Sequence, residues 1–293
     1  MDLAFWRSKK SKLCSSAYMR SDLVVVANQQ QQIFEKAVTS IEQWPEVFAS
    51  LCKEAGIGNE HQIVFVLGNQ HYQQFQVEKP NVAQEELADA VPWTIKDMVA
   101  EPVQELVVDY YQIPVAPMTA EKLNVVCVSK PIIRQLVALA KEQGLKLQGI
   151  TIESIATANL LEANERCQML LWQAKGRDLE LSVVRQGQIC FSRQLRAFSS
   201  LGRMQEIEFT QNFFDSLSLE LQRSIDYISA TLKLPEVSLI QLAIPSRFCD
   251  EIAVQLQHNL GPKVNLLSLD AIGESEHYYR LPVLGGLDAG VLS

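Results

Sequence analysis

The side chains able to run acid–base, metal or thiol chemistry are few and scattered. His61, His71, His258 and His277 could act as imidazole bases. Each falls near the edge of an expected element, where a solvated or half-buried ring is the plainer reading. Cys14, Cys52, Cys127, Cys167, Cys190 and Cys249 include no C-x-x-C pair and have no histidine at ligand spacing. Neither a zinc site nor a disulfide framework is therefore expected, and Cys127 and Cys190, inside apolar runs, read as small buried hydrophobes. There is no G-x-S-x-G elbow, H-E-x-x-H, Walker lysine loop or G-x-G-x-x-G after a strand. Glu220, Arg223 and Asp226 recur at i, i+3 on one side of an expected long helix. They could meet a ligand, but pairing with one another between two lobes is the expectation. Gly285–Gly286 could let a ligand approach closely, though turn residues before a terminal helix are the simpler reading.

Composition narrows the class. The 293 residues carry a net charge of −8, with 47% hydrophobic and 20% charged residues. That suits one large two-lobed domain or two small ones. The acidic balance argues against a general nucleic-acid binder, which needs a basic surface for phosphates. No run reaches the roughly 18 to 20 apolar residues of a spanning helix, and the first dozen residues lack the apolar centre of a secretory signal. With the cysteine usage, this gives a cytosolic expectation. Leu3, Phe5 and Trp6, followed by Arg7, Lys9, Lys10 and Lys12, could rest weakly on an anionic membrane surface or simply form a soluble, frayed terminus.

The elements that must position any site follow from periodicity. Strands are expected over 22–27, 62–67, 71–77, 106–113, 123–129 and 147–152. Helices are expected over 34–56 (with Pro45 as an interruption), from 81 or 84 onward (interrupted at Pro92), over 132–143 after Pro131, and over 154–162. In the second half, 168–172, 179–185 and 188–194 read as a three-strand meander with a turn at Gln186–Gly187. A long helix over 209–232, a strand over 238–244, a helix over 248–260, a strand over 264–269 and a short helix over 284–291 follow. The alternation predicts a two-lobed α/β layout.

Three segments carry a resemblance: QIVFVLGNQHYQQFQV, EELADAVPWTIKDMVAEPVQELVVDYYQI, and LNVVCVSKPIIRQLVALAKEQGLKLQGITIESIATANLL. They are similar to the PilM family of cytoplasmic proteins of type IV pilus assembly, most of all to its MshI branch from mannose-sensitive haemagglutinin pilus systems. Asp109, Tyr110, Gly144, Leu145, Glu153, Ser154 and Ala156 occupy the family's pattern in the middle of the chain. LSLELQRSIDYI resembles its E-x-x-R-S-x-x-[FY] helix through Glu220, Arg223 and Ser224, and LGGLDAGVL matches its ending loosely.

The resemblance implies an actin-like, ribonuclease H-like two-lobed ATPase fold with an inserted small α/β subdomain at about 71–143 and a reduced second-lobe insertion, since 199–208 is short. The expected organisation is an N-terminal segment (1–20), a first lobe (21–165) and a second lobe (166–293). Nucleotide binders of this kind hold Mg-ATP with two Asp- and Gly-bearing loops and a Gly-rich adenosine loop. The first loop here reads LCSSAYMRS. In the second, Gln173 replaces the expected Asp and Lys175 the expected Gly, leaving Asp178 as a late carboxylate. Ala243, Ile244 and Pro245 stand where glycines of the adenosine loop would sit, and a proline removes a backbone donor. No cofactor is therefore expected; the rival reading is a working Mg-ATPase using Asp178, and a filament-forming role has no residue signature.

The leading expectation is a non-enzymatic scaffold at the inner membrane. It would grip the cytoplasmic N-terminal peptide of a PilN-like single-span protein in a first-lobe groove, with other platform or assembly-ATPase components as further partners. Trp93, Tyr110, Tyr111 and Arg134 are the candidate contacts, because aromatic and Arg side chains anchor interfaces well; for Trp93, core burial is the competing expectation.

Overall fold

The computed structural model describes residues 14–59, 61–113, 121–174 and 176–287. The described residues up to 113, those of 121–159 and those of 282–287 form one unit, and 160–281 the other.

The first unit opens with β1 (Cys14–Met19), β2 (Leu23–Ala27) and β3 (Ile33–Ala37), an antiparallel meander. β1 takes up most of the stretch expected to be a loop. It pairs on both edges, and each residue from Ser15 to Met19 is buried, so both its faces are covered, at Ser15 and Ser16 as well. β3 likewise replaces the start of the helix expected over 34–56. The Asn28 side-chain oxygen accepts from the backbone N–H groups of Gln30 and Gln32 at 3.1 and 3.0 Å, and Gln31 takes φ +61°, which folds the chain back onto β2. The helix α1 (Trp44–Glu54) begins later, with Pro45 in its first turn, where a missing N–H costs nothing. Gly56 follows it at φ +68°.

β4 (Gln62–Leu67) runs parallel to β1. An insertion then builds its own sheet from β5 (Gln73–Glu78), β6 (Leu106–Gln112) and β7 (Lys122–Ser129), in the order β5-β7-β6 and antiparallel throughout, with α2 (Leu87–Thr94) between β5 and β6 in sequence. Pro92 lies inside α2 instead of interrupting it. Leu87, Val91 and Ile95 cover one face of this sheet at Leu123, Val125 and Cys127. The chain returns through α3 (Lys130–Glu142), whose Pro131 opens it and Gly144 at φ +65° follows it, to β8 (Lys146–Ile152), parallel to β4. α4 (Glu153–Ala158) is shorter than the helix expected over 154–162. Trp44, Phe48 and Leu51 of α1 and Leu136 and Leu139 of α3 share one core with Val24 and Phe65.

The second unit repeats the plan. β9 (Cys167–Gln173), β10 (Leu179–Arg185) and β11 (Gln188–Leu195) form an antiparallel meander. Its turn at Gln186 and Gly187 has φ +52° and +74°, the paired positive values of a tight hairpin. Between β11 and α5 (Gln211–Ala230) lie only three short 3-10 turns, in keeping with a reduced insertion. The Thr210 hydroxyl caps α5 by accepting from Phe213 N–H at 3.3 Å. β12 (Val237–Ala243), α6 (Cys249–Asn259) and β13 (Lys263–Leu266) complete a parallel extension of the sheet. The last helix, α7 (Leu281–Leu287), holds Gly285 and Gly286 in its body rather than at its opening; residues 288–291 of the expected tail helix lie outside the described residues.

The two five-stranded sheets have matching orders, β3-β2-β1-β4-β8 and β11-β10-β9-β12-β13, each an antiparallel meander followed by two parallel strands. This duplicated topology is the actin-like, ribonuclease H-related fold.

The charge triple expected between lobes is instead internal to the second unit. Glu220 of α5 pairs with Arg193 of β11 and, at 2.6 Å, with Arg223, while Asp226 accepts from Gln222 at 2.8 Å. Hydrogen bonding from Arg193, opposed by partial burial and helped by Arg223, holds the Glu220 carboxyl below its ordinary value of 4.5. A lowered carboxylate pKa contributes stability above the unfolded-state value and loses it as pH falls through the folded one. Glu220→Gln is expected to cost about 1 kcal/mol at pH 7, a small value because solvent screens partly exposed pairs. Urea unfolding should show that gap closing as the pH drops below 4.5.

Candidate functional site

A magnesium nucleotide needs a carboxylate to position the metal and backbone N–H groups aimed at phosphate. In the second unit, Gln173 closes β9 at 1% exposure. Its amide nitrogen lies 2.7, 3.2 and 2.9 Å from the carbonyl oxygens of Arg177, Phe198 and Ser199, and its oxygen accepts from Gly202 N–H at 2.8 Å. Gly202 is held so closely that a Cβ there would stand 2.8 Å from the Gln173 oxygen and 3.1 Å from Pro245. Gln173, Gly202 and Pro245 thus close on one another. Ala243 ends β12, and Ile244 and Pro245 open the connection to α6; Ala243 and Ile244 are fully buried. Asp178 is half-buried just before β10, and Lys175 lies outside the described residues. A donor amide surrounded by carbonyl oxygens is a poor seat for a metal-binding carboxylate, and these residues do not fit the magnesium nucleotide of the fold's ATP-binding members.

The β1–β2 hairpin of the first unit is closed in a different way. Arg20, 1% exposed, bonds both oxygens of Asp22 at 2.8 Å, and a Cβ on Gly68 would come within 2.9 Å of its Cγ. Trp44 Nε1–H donates to the Arg20 carbonyl at 2.9 Å. The Tyr18 hydroxyl donates to Glu153, also buried. Burial, reinforced by the Glu153 charge, pushes the Tyr18 hydroxyl well above its ordinary pKa, so it stays protonated and donating. The stretch expected to cradle phosphate is a strand and a turn filled by an arginine.

The first unit also contains a small apolar groove of about 30 Å³. Its floor is the sheet face opposite α2, where Val107 and Asp109 of β6 lie beside Val128 and Val126 of β7. Ile133 of α3 and Leu67 at the end of β4 add aliphatic wall. Ile150, Thr151 and Ile152 of β8 also border it. One face of a strand offers only every second residue, so three successive ones mean that the groove meets the strand's edge. β8 ends its sheet's order, without a further strand among the described residues.

The expected contacts divide around this groove. Tyr110 and Tyr111 are neighbours on β6 and point to opposite faces. Tyr110 packs with the α2 core, whereas Tyr111 shares the groove face and accepts from Gln74 Nε2–H at 3.0 Å. Trp93 is 57% exposed, correcting the core burial expected of it. α2 covers its sheet through Leu87, Val91 and Ile95, and a residue two positions past Val91 projects from the far side. Arg134 is exposed on α3, one position after the groove residue Ile133. Thr151 and the β8 edge escaped sequence reasoning. Alternation in LVVDYYQ does place Val107, Asp109 and Tyr111 on one face, but nothing local to that strand says what faces it.

In the second unit, a wider polar cleft of about 820 Å³ lies along α5 near Arg166, Asp226, Glu236 and Lys263, with charges of both signs. Among the described residues no cluster of His, Cys, Asp and Glu could hold a metal ion, and no helix is long and apolar enough to cross a membrane.

No protein-family model matches the sequence, and no curated protein is detectably similar to it. Solved structures do match. A PilM–PilN type IV pilus biogenesis complex aligns with a TM-score of 0.65 at 15% identity, covering 97% of this chain and 100% of that one. The cytoplasmic domain of EpsL, an inner-membrane component of the Vibrio cholerae type II secretion system, aligns at 0.47 and 13% identity over 86% and 84% of the chains. A Bacteroides thetaiotaomicron protein with an actin-like ATPase fold aligns at 0.47 and 11% over 88% and 91%. The chain therefore has an actin-like fold, similar along nearly its whole length to that of a chain in the PilM–PilN complex.

Proposed function

We propose that this chain is a non-enzymatic scaffold in the inner-membrane assembly platform of a type IV pilus, of the mannose-sensitive haemagglutinin kind that MshI serves. It works on the cytoplasmic face and holds the N-terminal cytoplasmic peptide of a PilN-like single-span protein. The observation that carries this reading is the groove between the small sheet's aliphatic face and the β8 edge. An extended peptide there gains main-chain hydrogen bonds from the strand edge, while its alternate side chains meet the floor. The fold shared with a chain of a PilM–PilN complex supports this class of partner. The closed Gln173–Gly202–Pro245 cluster supports a role without nucleotide turnover.

Fluorescence polarisation with a labelled peptide from the N-terminus of such a partner tests the reading. Saturable binding is expected, with at least a tenfold loss in Val107→Glu, which sets a carboxylate on the half-buried aliphatic floor. Unchanged affinity in that variant would remove the groove from consideration. The peptide of the haemagglutinin-type partner should bind more tightly than those of other pilus systems. Calorimetric titration with Mg-ATP is expected to be silent in the wild type and in Asp178→Ala alike. Tight binding that Asp178→Ala abolishes would favour an actin-like ATPase instead.

A further inference from the structure

We propose that this chain associates head to tail with further copies of itself, the free face of α3 in one copy docking on the free face of α2 in the next. None of the residues involved lines the groove, so the proposal goes beyond the partner reading above and does not depend on it.

Each of these helices buries one stripe and leaves the opposite one without cover. In α3, Ile132, Leu136, Leu139 and Ala140 pack inward. On the other side Arg134, Val137 and Lys141 recur at i, i+3 and i+7, all exposed, with Val137 at 47%. Lys130 begins this stripe and is held by the Gln104 carbonyl. In α2, Leu87 and Val91 pack inward. Glu86, just before the helix, and Asp89 and Trp93 within it line the far side at the same i, i+3 and i+7, again all exposed. Glu86, Asp89, Arg134 and Lys141 make no ion pair or side-chain hydrogen bond among the described residues.

The two stripes complement each other. One carries two cations around a valine, the other two carboxylates beside a tryptophan. Glu85, Asp97 and Glu101, also exposed, extend the negative field, against Lys96 alone in 81–101. With the helices side by side, in either direction, the equal spacing lets Glu86 meet one cation while the Trp93 ring takes the other on its face. Asp89 then lies between them beside Val137. α2 packs on Leu123, Val125 and Cys127 of β7, whereas α3 packs with Val128, from the opposite face of that strand. The stripes therefore lie on opposite sides of the small sheet. One pair of copies cannot make both contacts at once, and every pair keeps one free stripe of each kind. Such heterologous contacts add copies in a row. The net charge of −8 keeps the remaining surface mutually repulsive, which confines attraction to these stripes.

Sedimentation equilibrium of the full chain is the test. In about 0.1 M salt the average mass is expected to rise with concentration above the 32.9 kDa of one copy. In about 0.5 M salt it should fall back toward that value, because screening weakens exposed charges. Arg134→Glu with Lys141→Glu, and Glu86→Lys with Asp89→Lys, should each weaken association about tenfold or more. The second pair lowers the net negative charge, so its loss cannot come from overall repulsion. Mixing the two reversed proteins, or joining all four substitutions in one chain, should restore association to within about threefold of the wild type, a pattern that misfolding cannot produce. Trp93→Ala should weaken it about tenfold without lowering the thermal midpoint. A mass of 32.9 kDa at every concentration overturns the proposal, as does association that survives both reversals. So does a chain that stays single yet sediments with phosphatidylglycerol vesicles unless Arg134 and Lys141 are reversed, which would give the α3 face to lipid. Failure of the partner peptide to bind the groove leaves this proposal standing.

Discussion

Gln173→Asp, which sets a carboxylate at the end of β9, is expected to destabilise the protein by about 3 kcal/mol and to confer no affinity for Mg-ATP. The reason lies in the partners. The Gln173 amide nitrogen faces the carbonyl oxygens of Arg177, Phe198 and Ser199, and its oxygen holds Gly202 N–H. A carboxylate turns every carbonyl contact from attraction to repulsion. At 1% exposure there is little water to screen it. Its shorter side chain also withdraws from the cluster that Gly202 and Pro245 complete. Urea denaturation and calorimetric titration on one preparation measure both halves of the expectation. A variant as stable as the wild type that also binds Mg-ATP would show that this region is a nucleotide site one residue from function. Such a result would refute the scaffold reading of the second unit.

Gly285→Val is expected to cost a further, independent amount of about 3 kcal/mol, at the upper end for overpacked sites. α7 approaches α4 and β1 almost backbone to backbone. A Cβ on Gly285 would stand 1.7 Å from the Ala156 carbonyl oxygen, and one on Gly286 would stand 2.1 Å from Ser16 Oγ. The first obstacle is main chain, which cannot rotate away as a flexible side chain does. Asn159 adds a hydrogen bond to the Gly285 carbonyl at 3.3 Å, so the helix is also held there by polar contact. Gly261→Ala is the control: nothing lies within 4 Å of its added Cβ, and its stability should stay within about 0.5 kcal/mol of the wild type. Comparable denaturation midpoints for the two variants would mean that α7 does not pack as described.

Local chemistry was enough for much of the chain. The β10–β11 hairpin was legible because Gln186–Gly187 supplies the positive-φ pair between two apolar runs. α3 was legible because Pro131 and Gly144 bracket a helical period. Where the sequence reading failed, burial had overruled the local pattern. CSSAYM reads as a loop, yet it forms a strand covered on both faces, and such a strand shows no polar–apolar alternation to read. The apolar period running from Phe34 predicts a helix, but the turn at Asn28 commits its first residues to pairing with β2. Trp93 has the composition of a core residue, and only the placement of Leu87, Val91 and Ile95 against the small sheet decides that it faces outward.

By itself, the sequence determined the order and kind of most elements and the two-part α/β plan, because each of these is written in neighbouring residues. Only the tertiary structure decided that Gln173 is bonded to groups up to 29 positions away, and that β6, β7, α3 and the edge of β8 enclose one groove. Both depend on segments distant in the chain. Periodicity reports which face of an element is apolar, but not which other element comes to cover it.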